Sequence, residues 1–135
     1  MSSPTVMPKI SFVGGGRMAE ALISGVLSSG GYKAEQIYVA DPDTARLDHL
    51  KQQYGIQIGA TNHEAVVSGD VIVLAVKPQV TAVVLKEIGD GLAKRLVISV
   101  VAGMPLMRII EACGTQARVI RAMPNTPAMV GEGMT

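Results

Sequence analysis

The chain has 135 residues, of which 48% are apolar and 17% charged, enough for one domain with a packed core and far from a disordered composition. Twelve Lys and Arg against eleven Asp and Glu leave a formal charge of +1, which gives no electrostatic case for a nucleic-acid or anionic-membrane partner. Only Phe12, Tyr32, Tyr38 and Tyr54 are aromatic, so base-stacking platforms are not expected, and Cys113 stands alone, so neither an intramolecular disulfide nor a multi-cysteine metal site can form.

Residues 1–8 read as an N-terminal extension without the charged-then-apolar pattern of a signal peptide. Lys9–Val13 is a short apolar strand running into three glycines. Arg17–Ser29 places Met18, Leu22 and Val26 on one helical face and closes on Gly30 and Gly31. Gln36–Ala40 is a second strand that stops at Asp41-Pro42, and Thr44–Tyr54 a helix with a capping residue before it and Gly55 after. Ile56–Ile58 is a brief strand, and a short helix starts at Asn62. Asp70–Val76 shows no alternation, as expected of a strand buried on both faces; its apolar run is far too short to cross a bilayer. Pro78 opens a helix reaching about Gly89, Arg95–Val101 is another buried strand, Pro105–Cys113 a helix and Arg118–Ala122 a sixth strand. Alternating strands and helices with short connections demand a parallel sheet covered on both sides: a single α/β domain, doubly wound, over residues 9–122. The lone thiol and the lack of a leader pattern fit the cytoplasm.

The first strand–helix turn carries G-x-G-x-x-A at Gly14, Gly16 and Ala19. Gly14 allows the tight turn, Gly16 lets backbone approach a pyrophosphate, and Ala19 lets the helix pack closely on the strand. The helix N-terminus adds unpaired N–H groups and a positive dipole end. A methyltransferase-type cofactor loop would want glycine where Met18 stands. Asp41 ends the second strand, where a carboxylate meets a ribose 2′-hydroxyl and repels a 2′-phosphate; that favours NAD, while Arg46 one turn on keeps NADP open. The alternative for Asp41 is capping of the next helix or formation of the turn at Pro42. Lys77 and Pro78 follow the fourth strand, beside the point where strand order should reverse, and either touch the cofactor or simply begin a helix. Val100–Pro105 ends the fifth strand with small residues that let a flat ring approach. His49 and His63 have no metal-ligand spacing, and no Ser-His-acid constellation assembles. Cys113, Met104, Met107, Met123, Met129 and Met134 read as core filling, the methionines alternatively as an apolar wall facing a partner domain.

Taken together, "ISFVGGGRMAEAL", "AVKPQ", "VISVVAG" and above all "RVIRAMPNTPAMVGEGMT" resemble the N-terminal dinucleotide-binding domain of pyrroline-5-carboxylate reductase, from about Lys9 to Thr135. The resemblance implies that a pyrophosphate rests on Gly14, Gly15, Gly16, Arg17 and Met18, and that the adenosine ribose lies near Asp41, Pro42 and Asn62. The nicotinamide half would be held by Ala75, Val76, Lys77, Pro78, Val100, Val101 and Ala102, with Asn125 in a loop bordering the active-site cleft. The implied reaction is reduction of 1-pyrroline-5-carboxylate to L-proline with NADPH, NADH being the alternative, by a homo-oligomer that binds no metal, nucleic acid or membrane. The family continues into a helical domain that dimerises and closes over the substrate, so residues 123–135 are expected to lead towards it, and this chain alone is expected to be inactive. The rival readings are the cofactor domain of a β-hydroxyacid-type dehydrogenase and a stand-alone NAD(P)-sensing module.

Overall fold

The computed structural model describes residues 8–93, 95–101, 105–113 and 118–122. The extension up to Met7, Ala102, Met104, the 123–135 loop with Asn125, and the Cys113 side chain lie outside this description.

The chain runs β1 (Ile10–Val13), α1 (Arg17–Ser28), β2 (Ile37–Ala40), α2 (Thr44–Tyr54), β3 (Gln57–Gly59), α3 (Asn62–Ser68), β4 (Val71–Leu74), α4 (Pro78–Ile88), β5 (Leu96–Ser99), α5 (Leu106–Cys113) and β6 (Arg118–Arg121). Three of the helices carry a local start signal. The Asp43 carboxylate accepts the N–H groups of Ala45 and Arg46 at 3.0 and 3.3 Å, and Gly55 ends α2 at a φ of 74°, which a side chain would resist. Thr61 caps α3 by accepting the Glu64 N–H at 3.2 Å, and Pro78 supplies the preset first residue of α4.

All five strand pairs are parallel, in the order β3-β2-β1-β4-β5-β6. The chain winds outward from β1 to β3, crosses back to β4 beside β1, and winds outward again. The two halves place their helices on opposite faces, as right-handed crossovers in this strand order require. One slab joins Phe12, Val39 and Val73 to Ala19 and Ile23 of α1 and Leu47 and Leu50 of α2. The other joins Val13, Ile72, Leu74 and Val97 to α3, α4 and α5. β4, covered on both faces, is therefore apolar at every position and shows no alternation.

Some sequence expectations change: the fourth and fifth strands are shorter than Asp70–Val76 and Arg95–Val101, at Val71–Leu74 and Leu96–Ser99. The third strand is Gln57–Gly59, because Gly59 pairs with Ala40 while Ile56 packs into the core just ahead of the ladder. Met107, expected as core filling, is 65% exposed. On the α1 and α2 face, the far half of the sheet carries a shallow apolar hollow lined by Phe12, Leu22, Val73, Ile98, Val100 and Ala122. Among the described residues no helix is long and apolar enough to cross a membrane.

Candidate functional site

The reversal of strand order falls between β1 and β4, so the loops leaving them part and open a crevice at the carboxyl end of the sheet. The first turn is pinned on both sides of that crevice. The Gly14 N–H donates to Ala40 O at 2.9 Å, and the Ala75 N–H donates to Val13 O at 2.9 Å. Gly14 has a φ of 106°, and a Cβ there would stand 2.6 Å from Ala75 O, so only glycine fits. Gly15 is buried, with room for a Cβ only 3.1 Å from Val39 Cγ1. Gly16 is the opposite case: exposed, extended, with nothing within 4 Å of where a Cβ would be.

Gly16 is also the N-cap of α1, and no side chain caps that helix. Asp43 and Thr61 fill the amino ends of α2 and α3 from within the chain. The first-turn N–H groups of α1 thus keep their hydrogen-bonding capacity and their positive dipole end for an anion beside Gly16. Ala19, fully buried one turn on, lets α1 lie close on the sheet.

A groove of about 320 Å³ runs across the crevice, lined by Gly14, Gly16, Ala40, Asp41, Pro42, Asn62, Ala75, Val76, Lys77, Val80 and Val84. Part of its room is the empty space where a side chain at Gly16 would stand, and the close packing of Gly14 on Ala75 shapes its floor, a cradle that fits the pyrophosphate and ribose of a dinucleotide. Eight residues singled out from sequence converge here: Gly14, Gly16, Asp41, Pro42, Asn62, Ala75, Val76 and Lys77. Ala40, Val80 and Val84 line it too without a motif of their own; the sign for the valines is that they stand four apart on the helix that Pro78 opens. Arg17 and Met18 begin α1, and Pro78 begins α4, all outside the lining. Val100 and Val101 are buried to 8% and 2% exposure, so their side chains serve the core and only backbone could reach a ligand.

Asp41 does not cap α2; Asp43 does. The Asp41 carboxylate instead accepts the Gly15 N–H at 2.7 Å and the Asp43 N–H at 2.8 Å, tying the glycine turn to the end of β2. Arg46 folds back onto the same turn. Its Nε donates to Gly15 O at 2.8 Å and its Nη2 to Glu20 Oε1 at 2.8 Å. Glu20, in the first turn of α1, also accepts from Tyr54 Oη at 2.8 Å and meets His49 Nε2 at 3.1 Å. Burial pushes its carboxyl up, but the hydrogen bonds from Arg46, His49 and Tyr54 outweigh that and bring it from 4.5 down to about 2. Burial, and then the Glu20 carboxylate, raise the Tyr54 phenol above its ordinary 10.0. Among the described residues, no group of three or more His, Cys, Asp or Glu could hold a metal ion.

Residues 9–103 match the family described as NADP oxidoreductase, coenzyme F420-dependent. The pyrroline-5-carboxylate reductase of Synechocystis sp. is 43% identical over 127 residues, covering 94% of this chain and 47% of that enzyme. Among solved structures, a pyrroline-5-carboxylate reductase from Coxiella burnetii superposes with a TM-score of 0.84 at 37% identity, over 91% of this chain and 46% of that one. Plasmodium falciparum pyrroline carboxylate reductase with NADP bound gives a TM-score of 0.78 at 31% identity, over 92% of this chain and 45% of that one. The chain spans about half the length of the relatives it matches. With most of its length matched, it belongs to that NADP oxidoreductase family.

Proposed function

For a member of that family, we propose that this chain is the dinucleotide-binding part of an NAD(P)H-dependent pyrroline-5-carboxylate reductase. The observation that carries the reading is the coincidence of an uncapped helix N-terminus at Gly16 with a groove running from Asp41 to Lys77. The 43% identity to a named reductase supports the substrate.

When bound, the cofactor supplies a hydride to the C=N carbon of 1-pyrroline-5-carboxylate, and with one proton on nitrogen the product is L-proline. The chain's own residues bind and orient. The α1 amino end and the Gly16 backbone receive the pyrophosphate, Asp41, Pro42 and Asn62 border the adenosine ribose, and Ala75, Val76 and Lys77 support the other half. A protonated imine is already electrophilic, so alignment and exclusion of water supply most of the acceleration. We assign no general acid to the described residues. NADPH is the cofactor we favour, with NADH as alternative, and the setting a cytoplasmic homo-oligomer acting on a small molecule without nucleic acid or membrane.

The described groove is open on one side, so binding by the 135-residue chain is expected without measurable turnover. Calorimetric titration with NADPH and NADH tests the binding. Failure of the folded chain to bind either at millimolar concentration overturns the reading. Oxidation of NADPH with 1-pyrroline-5-carboxylate, run beside a full-length relative, tests the division of labour.

A further inference from the structure

We infer that Glu20 is a specificity-determining residue, which sets the ratio of NADPH to NADH binding by holding the Arg46 guanidinium against the Gly15 carbonyl. The inference rests on the dinucleotide reading above and asks what decides between its two cofactors.

The end of β2 is hostile to a 2′-phosphate. Asp41 and Asp43 both stand there as carboxylates, and Asp43 already occupies the Ala45 and Arg46 N–H groups at the head of α2. A phosphate placed at that ribose end meets two negative charges and finds two α2 donors taken. Arg46 is the cation whose backbone sits in that first turn of α2, yet its side chain is already engaged, Nε on Gly15 O and Nη2 on Glu20 Oε1. Glu20 is itself fixed from the far side by the Tyr54 hydroxyl at 2.8 Å and by His49 at 3.1 Å. The result is a latch between α1 and α2, with Arg46 as the movable piece and Glu20 as the catch.

The latch can be undone. The Arg46 and Glu20 side chains are 30% and 24% exposed, so water reaches both and the pair is of the exchangeable kind. A 2′-phosphate offers Arg46 a better-charged bidentate partner, but binding it means breaking the contact to Glu20. NADH needs no such exchange. Glu20 therefore acts against NADPH selectively, and it does so as a positioning residue, through Arg46.

The test is a double-mutant cycle on the 135-residue chain, with NADPH and NADH affinities measured by calorimetry for each variant. Glu20→Gln keeps size and one acceptor but removes the charge, and should raise the NADPH-to-NADH affinity ratio about fivefold. Arg46→Met should lower the ratio, and Glu20→Gln should have no effect on it in the Arg46→Met background. Loosening of the glycine turn would weaken both cofactors together and cancel in the ratio. If Glu20→Gln fails to fold, Tyr54→Phe frees the catch from its other end and should shift the ratio the same way by less. An unmoved ratio in a protein that binds both cofactors overturns the inference and leaves the proposed function standing. Binding of neither cofactor by the unmodified chain removes the proposed function and this inference with it.

Discussion

Asp41 and Arg46 hold the two backbone polar groups of one residue: the carboxylate accepts the Gly15 N–H at 2.7 Å, and the guanidinium Nε donates to the Gly15 carbonyl at 2.8 Å. Read in sequence, the two argue for different cofactors. In the fold they cooperate to fix the middle glycine of the turn. Asp41→Asn keeps the shape but leaves one acceptor for two N–H groups, so a loss of about 1–3 kcal/mol of stability is expected. Removing that negative charge from the groove should also raise NADPH affinity relative to NADH. Thermal unfolding and paired titrations measure the two effects separately; an unchanged ratio would detach Asp41 from the ribose.

Gly14 and Gly16 should respond oppositely to substitution. A Cβ at Gly14 meets Ala75 O at 2.6 Å on a backbone at φ 106°, so Gly14→Ala is expected to cost about 2–4 kcal/mol. At Gly16 the same space is empty, and the extended backbone suits any residue. Gly16→Val should lose no more than about 1 kcal/mol, the cost of a poorer N-cap, while dinucleotide affinity falls by at least about a hundredfold. Urea unfolding and calorimetry on both variants would decide it, and tight binding by Gly16→Val would place the pyrophosphate elsewhere.

Ser11, in the middle of β1, is fully buried and its Oγ has no hydrogen-bond partner among the described residues. A hydroxyl in that position has given up water for nothing. Ser11→Ala should therefore stabilise the fold by about 1 kcal/mol, read as a higher urea midpoint. A loss of more than that would show that the hydroxyl has a partner after all.

Glu20 links stability to acid. Its folded carboxyl lies near 2 against an ordinary 4.5, so the stability it contributes is complete above about 4.5 and is lost as pH falls towards 2. The facing groups are Arg46, His49 and Tyr54. With the carboxylate partly solvated, the loss is on the order of 1–2 kcal/mol. Unfolding free energies at pH 7 and near pH 2.5 should differ more for the unmodified chain than for Glu20→Gln; equal differences would deny Glu20 this role.

The fold was largely legible because its punctuation is chemical. Asp43 and Gly55 bound α2 at the residues expected, and Pro78 marks the start of α4. Strand ends were less legible, since a strand stops where its neighbour stops: β4 ends at Leu74 because its ladder with β1 ends at Val13, although Ala75 and Val76 continue the apolar run. The groove was legible wherever strand-end position or family likeness pointed to it, as with Asp41 and Lys77. The Glu20 latch was not. Glu20 reads as a polar residue on an amphipathic helix, and its partners lie 26–34 positions away. The one available sign was that Arg46, His49 and Tyr54 share a broad face of α2.

Residues 10–13 meet residues 71–74 at the centre of the sheet, so the crevice is walled by two segments that become neighbours only when half the chain is gathered in. No local hairpin or helix pair can make it ahead of that closure. Fraying of β3 or β6 at the edges leaves the crevice whole, whereas parting of β1 from β4 erases it. A molecule seated there draws stability by mass action against that central opening. The amides of β1 and β4 are accordingly where a bound ligand should slow hydrogen exchange most, and the occupied groove becomes a gauge of whether the whole sheet has closed.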